Sequence, residues 1–162
     1  METINKIEDL ISDHIDGARN NLRQIKKCHN SLNLIEKTHE RACSIYDVIK
    51  SDIKMNSEYI SRCNEMDEFA KNFKKDIAYA FSYLTEMFFI QDNEGNVFEV
   101  IKVRNRMDEL IDYIREGQNY TNISYDDIIP NIIRIEIALL QKPNNPLFIS
   151  LGIRITELKN IT

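Results

Sequence analysis

The stretch from Asn56 to Ile90, NSEYISRCNEMDEFAKNFKKDIAYAFSYLTEMFFI, decides the fold class of this chain. It contains neither Pro nor Gly, and its large apolar residues recur at intervals of three or four. One row is Phe69, Phe73, Ile77, Phe81, Leu84 and Phe88, and beside it runs a second row of Tyr79, Tyr83, Met87 and Ile90. Such intervals place each row on one face of an α-helix. Because two adjacent rows are too wide for a helix with one neighbour, we predict a central helix, roughly 50 Å long at ~1.5 Å per residue.

The sequence before this stretch repeats its apolar residues every seven positions. One series is Ile4, Ile11, Ala18, Ile25, Leu32, His39, Tyr46, Ile53 and Ile60. A second series, three residues further on, is Ile7, His14, Asn21, Cys28, Ile35, Ala42, Ile49, Asn56 and Cys63. This alternation of three and four is typical of coiled-coil-like helices. They could pair within one chain or with another chain, and the pattern leaves both alternatives open.

The number of helices between residues 2 and 54 is also open. The segment Asn30–Asn33 could interrupt a helix, because Asn and Ser favour helix caps, yet the repeat keeps its phase across it. A turn is expected near Lys54–Ser57, with Asn56 or Ser57 as the N-cap of the central helix.

The C-terminal half is harder to interpret. Gln91–Asn96 is predicted to be a loop, and the following helix, capped by Asn96, is predicted to stop at Gly117. A hairpin that pairs residues 88–91 with 97–103 is the alternative. Ser124 marks a further helix start, and Pro130 implies that this helix is kinked or begins later.

Residues 132–141 and 147–156 show two patterns at once. Ile133, Ile135, Ile137 and Leu139 alternate with other residues, as do Leu147, Ile149, Leu151, Ile153 and Ile155, which is typical of strands. In favour of helix, Asn145-Pro146 suits an N-cap and first turn. We therefore predict an all-α helical bundle with a long heptad-patterned N-terminal region. The alternative is an α+β fold with a C-terminal β-hairpin of 132–141 and 147–156.

One domain, residues 1–162, accommodates these elements, with extended heptad helices over 1–55 and a compact helical part over 56–162. The 21 basic and 26 acidic residues give a net charge of −5, which does not suggest a nucleic-acid binder. The cluster Lys71, Lys74 and Lys75 supports the alternative of a nucleic-acid-associated accessory subunit. The sequence has no run of 18 apolar residues and no signal peptide, so we expect a cytoplasmic protein that does not enter a membrane.

No metal or cofactor is expected. Cys28, Cys43 and Cys63 lack the spacing of metal ligands, and we expect buried thiols in a reducing compartment. Glu36 and His39 form half of the paired motif of di-metal helical bundles, but no second Glu-x-x-His exists in the sequence.

Arg23 and His29 resemble the arginine–histidine spacing of HEPN-type helical ribonucleases. That resemblance, which covers these two residues, implies that Arg23 would contact phosphate and that His29 would act as acid or base. A HEPN-like ribonuclease or toxin is therefore one alternative function.

The function that we expect from the sequence is binding without catalysis. Apolar rows at helical spacing are what a helix face needs to bind another protein. We expect an interaction subunit, adaptor or inhibitor that binds a protein partner or itself, with oligomer formation. The candidate partner-binding residues are Ile4, Ile11, Ile25 and Leu32.

Overall fold

A computed structural model describes the backbone of residues 2–45, 49–94 and 97–162, and the side chains of residues 3–38, 57–90 and 101–162. Within these ranges the chain forms α-helices and one 3₁₀ turn. The helices are α1 (Glu2–Ile45), α2 (Ile49–Glu94), α3 (Val97–Gln118), α4 (Ile129–Leu140) and α5 (Pro146–Ile161), and the 3₁₀ turn is Asp126–Ile128. The described residues contain no strand, so the predicted all-α bundle is confirmed and the β-hairpins are not formed.

The helices α1 and α2 pack against each other in antiparallel directions. Asn21 contacts Asp76 at 2.9 Å, and Tyr59 donates to Glu36 at 3.2 Å, so residue numbers fall along α2 as they rise along α1. α1 is continuous through the segment 30–33, where a break was an open alternative. α2 begins at Ile49, so the predicted turn and cap at 54–57 are wrong. The described residues between 2 and 54 thus belong to two helices.

The core lies where α1 and α2 meet the other helices. The side chains that are buried in α1 and α2 are Ile4, Ile7, Ile11, Ile15, Ala18, Leu22, Ile25, Cys28, Ala70, Phe73, Ile77, Ala80, Phe81, Leu84, Thr85, Met87 and Phe88. In contrast, no side chain of residues 29–38 or 57–69 is fully buried. This end of the α1/α2 pair therefore extends beyond the bundle.

Helix α3 runs parallel to α1. Arg106 donates to Ser12 Oγ at 2.8 Å, and Arg19 donates to Tyr113 Oη at 2.8 Å. Both pairs are separated by 94 residues, so the two helices keep one register over two turns. α2 continues to Glu94, so the loop predicted from Gln91 is wrong as far as Glu94. The rest of that loop and the predicted cap at residue 96 lie outside the described residues.

The helices α4 and α5 form an antiparallel pair at the C-terminal end of the described chain. α4 begins at Ile129 and carries Pro130 in its first turn, which confirms that this helix begins late. Asn145 caps α5, because its side chain accepts a hydrogen bond from the Leu147 amide at 3.0 Å. Segments that could have been strands are therefore helices with clear start signals.

Candidate interaction surface

The outer side of the α4/α5 pair carries large aliphatic side chains that the chain does not bury. They are Ile133, Ile137 and Leu140 of α4, and Ile149 and Ile153 of α5. Each is between 44% and 76% exposed. We call these five residues the outer aliphatic face.

The opposite sides of both helices are filled by the core. The buried residues are Ile132, Ile135, Leu139, Phe148, Leu151, Ile155 and Leu158. Since successive residues of a helix are about 100° apart, Ile133 and Ile137 each lie roughly 160° from Ile135. Each helix is therefore apolar on two opposite faces, and one of these faces packs in the core.

The two exposed rows lie side by side. Lys159 Nζ lies 3.4 Å from Glu136 Oε1, and a Cβ at Gly152 would lie 3.9 Å from Leu139 Cδ1. These contacts fix an antiparallel register in which the end of α4 faces the first half of α5. In this register Leu140 is level with Ile153, and Ile149 lies one turn nearer the start of α5, so the two rows adjoin at the end of α4.

The size of this surface is at the upper end of what monomers expose. With the measured exposures of five large aliphatic side chains, the outer aliphatic face amounts to roughly 500 Å², and the largest apolar patch on a typical monomer is about 300–600 Å² and often functional. Burial of that area would stabilise a complex by about 25 cal/mol per Å² before the costs of association. The face is therefore large enough for the core of a protein interface.

Charged side chains at the margin of the face are directed to partners within the chain. The Arg134 guanidinium lies over the Phe89 ring at 4.8 Å, and Lys142 Nζ lies over the Phe148 ring at 5.4 Å. Cations over aromatic rings are attracted by the ring electrons. Together with the Glu136–Lys159 pair, these contacts leave the centre of the face without a competing charge.

Sequence reasoning missed the outer aliphatic face, although its signal was present. The alternation of Ile133, Ile135, Ile137 and Leu139 suggested a strand. In a helix, residues two apart are about 200° apart around the axis. Alternation therefore also describes a helix with apolar residues on two opposite faces, and this is how α4 and α5 use it.

The residues predicted to bind a partner lie in a different part of the molecule. Ile4, Ile11 and Ile25 are 5%, 0% and 0% exposed and pack in the core of the chain itself. In the folded chain they offer no surface to a partner, because the bundle already covers them. Leu32 is half-buried in the extension of the α1/α2 pair. Of the four residues predicted to bind a partner, it is therefore the one that has surface to offer.

The structure does not bring Arg23 and His29 together. They are six residues apart on α1, which places them about 120° apart around the helix. Arg23 is exposed. The His29 ring packs edge-to-face on Tyr120, with centroids 5.1 Å apart. The pair therefore does not converge on one point, as an acid–base residue and a phosphate contact would.

The three residues of the basic cluster on α2, Lys71, Lys74 and Lys75, differ in their surroundings. Lys71 and Lys75 are exposed, whereas Lys74 Nζ lies 3.8 Å from Asp127 Oδ2. A second basic cluster, Arg23, Lys26 and Lys27, lies on α1, and Lys26 forms an ion pair with Glu116 of α3. One cation of each cluster is thus compensated within the chain.

A polar cluster crosses the contact between α1 and α2. Asp76 Oδ1 lies 3.0 Å from His14 Nδ1, and Asp76 Oδ2 accepts a hydrogen bond from Asn21 at 2.9 Å. The His14 ring stacks on Tyr79 with centroids 5.0 Å apart. Gly17 leaves room for the carboxylate, since a Cβ there would lie 2.7 Å from Asp76 Oδ2. The cluster links the two helices in one register.

The cysteines and acidic residues show no metal site within the described side chains. Cys28 is buried and Cys63 half-buried, and both are free thiols. Burial raises the pKa of the Cys28 thiol, which lowers its thiolate fraction and its reactivity. Among the described residues no three His, Cys, Asp or Glu side chains are grouped to hold a metal ion. Cys43 and His39 lie outside the described side chains.

None of the helices, as far as the described residues show, combines the length and apolar character needed to cross a membrane. Comparison of the chain with models of protein families, with curated proteins and with solved structures yielded no match.

Proposed function

We propose that this chain is a non-enzymatic interaction subunit that binds protein through the outer aliphatic face of α4 and α5. The observation that carries the proposal is that both helices expose one apolar face while the core fills the other. Folding therefore accounts for the inner face, and the outer face needs a different explanation. Association with a protein explains it, because helix faces with apolar rows are a recurrent mode of protein recognition.

The geometry of the face supports this proposal. α5 is fixed at its start by the Asn145 cap, and Arg154 donates to Asp108 of α3 at 3.1 Å. A surface on helices that are held by cap, ion pair and core requires little ordering on binding. Less ordering means that more of the burial energy appears as affinity.

The proposal places the subunit in the cytoplasm. It is supported by the free thiols of Cys28 and Cys63, since reducing compartments keep such thiols unpaired.

A site-specific photocrosslinking experiment tests the proposed surface. A photoreactive amino acid replaces Ile137 in the full chain, which is produced in its native cells and irradiated. The matched control carries the same amino acid at Leu34, which is exposed to a similar extent on α1. We expect covalent protein adducts at Ile137 and few at Leu34, and mass spectrometry identifies the adduct. Equal yields at both positions, or none at Ile137, would exclude the α4/α5 face as the binding surface.

A further inference from the structure

We propose that the outer aliphatic face is covered by a second copy of this chain. A two-fold axis would relate the two copies, so that their α4/α5 pairs pack against each other. This inference rests on the proposed function, since it names the partner of the same surface. Two antiparallel helix pairs placed face to face form a four-helix arrangement. The aliphatic rows of the two copies would interdigitate at its centre.

The charge distribution favours a second copy over a charged partner. Residues 129–162 contain six charged side chains. Arg134 and Lys142 lie over aromatic rings of the same chain. The other four form ion pairs, Lys159 with Glu136, Arg154 with Asp108 and Arg115 with Glu157. These contacts hold the charged groups at the margin of the outer aliphatic face, so that its centre, which a second copy would cover, carries no charge to be opposed by its like.

A two-fold interface also requires a self-complementary surface. The same patch must serve on both subunits, so that residue i meets residue j and j meets i. A neutral face of branched aliphatic side chains in two antiparallel rows satisfies this requirement. The net charge of −5 repels two copies elsewhere, so the neutral face is where they can meet.

The area matches the requirement of a dimer. A stable interface buries about 800 Å² on each partner, and homodimer interfaces are about 65% apolar. The roughly 500 Å² of the outer aliphatic face supplies close to that apolar share. The exposed polar residues around it, among them Gln141, Thr156 and Asn160, can form the rim.

Light scattering on the purified full chain tests this proposal. We expect the wild type to approach twice the chain mass of 19.1 kDa as its concentration rises from low micromolar to near millimolar. The double variant Ile137→Glu, Ile153→Glu should stay at the monomer mass with unchanged helical circular dichroism. Its matched control, Leu34→Glu with Ile60→Glu, alters two equally exposed aliphatic residues of the α1/α2 pair and should dimerise as the wild type does.

A charge-complementation experiment keeps the test independent of any effect on folding. The variant Ile137→Lys, Ile153→Lys should also be monomeric, and an equimolar mixture of the Glu and Lys variants should recover the dimer mass. A wild type that is monomeric at every concentration overturns the proposal, and so does a dimer that survives in the Glu variant.

The outcomes also separate this inference from the proposed function. A monomeric wild type whose Ile137 position crosslinks to a different protein rejects the second copy and retains the interaction surface. Binding of a monomeric wild type to phosphatidylglycerol vesicles, lost in the Glu variant, would assign the face to a membrane surface and reject both. Crosslinks between two copies at Ile137 support both.

Discussion

The central part of α2 and the α4/α5 pair differ in how much of their apolar surface the chain buries. In α2 the predicted row of Phe69, Phe73, Ile77, Phe81, Leu84 and Phe88 is completely buried except for Phe69, which is half-buried. In α4 and α5 an equally apolar sequence is divided between a buried inner face and an exposed outer face. The comparison shows that helical periodicity predicts the element, whereas the number of neighbouring elements decides which apolar residues become surface.

The largest effect should come from the α2 core. Phe81 is 0% exposed, and Phe81→Ala should lower the free energy of unfolding by about 3–5 kcal/mol, the range for truncating a buried aromatic side chain. The matched substitution on the outer aliphatic face is Leu140→Ala, which should change it by less than about 0.5 kcal/mol in dilute solution. Urea denaturation of both variants measures the difference, and similar losses would contradict the division into core and surface.

Two glycines within helices, Gly17 of α1 and Gly152 of α5, sharpen the comparison, because they differ in the space around them. Gly17→Ala would bring a Cβ to 2.7 Å from Asp76 Oδ2 and would displace a carboxylate held by His14 and Asn21. Loss of these contacts outweighs the gain in helix propensity of about 1 kcal/mol, so we expect a net destabilisation of about 1–2 kcal/mol.

Gly152→Ala is the matched control in the α4/α5 pair. Its Cβ would meet Leu139 at 3.9 Å, an ordinary contact, so only the propensity gain applies and the variant should be about 0.5–1 kcal/mol more stable than the wild type. Thermal melts of both variants test the pair. A stabilised Gly17→Ala would show that the polar cluster does not depend on close approach of the helices.

Tyr125 lies between α2 and the α4/α5 pair in the sequence, and its substitution should have a smaller effect on stability. It is 2% exposed, and its hydroxyl has no hydrogen-bond partner among the described residues. Because a buried unpaired hydroxyl is unfavourable, Tyr125→Phe should stabilise the fold by about 1 kcal/mol. Phe73 packs against this ring with centroids 6.4 Å apart, and Phe retains that contact.

The same substitution has a pH signature. Burial raises the pKa of the Tyr125 phenol above its usual value. Above about pH 10 the phenol ionises in the unfolded chain but not in the fold, so the stability of the wild type falls as pH rises. Urea denaturation should show the advantage of Tyr125→Phe widening at high pH. A constant difference would mean that the pKa of the Tyr125 phenol is not raised in the fold, as would be the case if water reached the hydroxyl.

The sequence predicted the helical class and the core of α2 because both depend on local periodicity. It also predicted the Asn145 cap, which depends on neighbouring residues alone. It misplaced the start of α2, since Asn56 and Ser57 favour helix caps, and a local preference of this kind is weak enough for a helix to continue through it. It assigned Ile4, Ile11 and Ile25 to a partner because periodicity does not reveal which helix covers a row. It missed Ile137 and Ile153 for the same reason.

The central claim is that a second copy covers the outer aliphatic face, and the concentration dependence of the thermal midpoint tests it most directly. Association stabilises a folded chain by mass action, so the midpoint of the wild type should rise with protein concentration. The midpoint of the Ile137→Glu, Ile153→Glu variant should stay constant. A wild-type midpoint that does not change with concentration, or a variant that follows the wild type, would contradict the account.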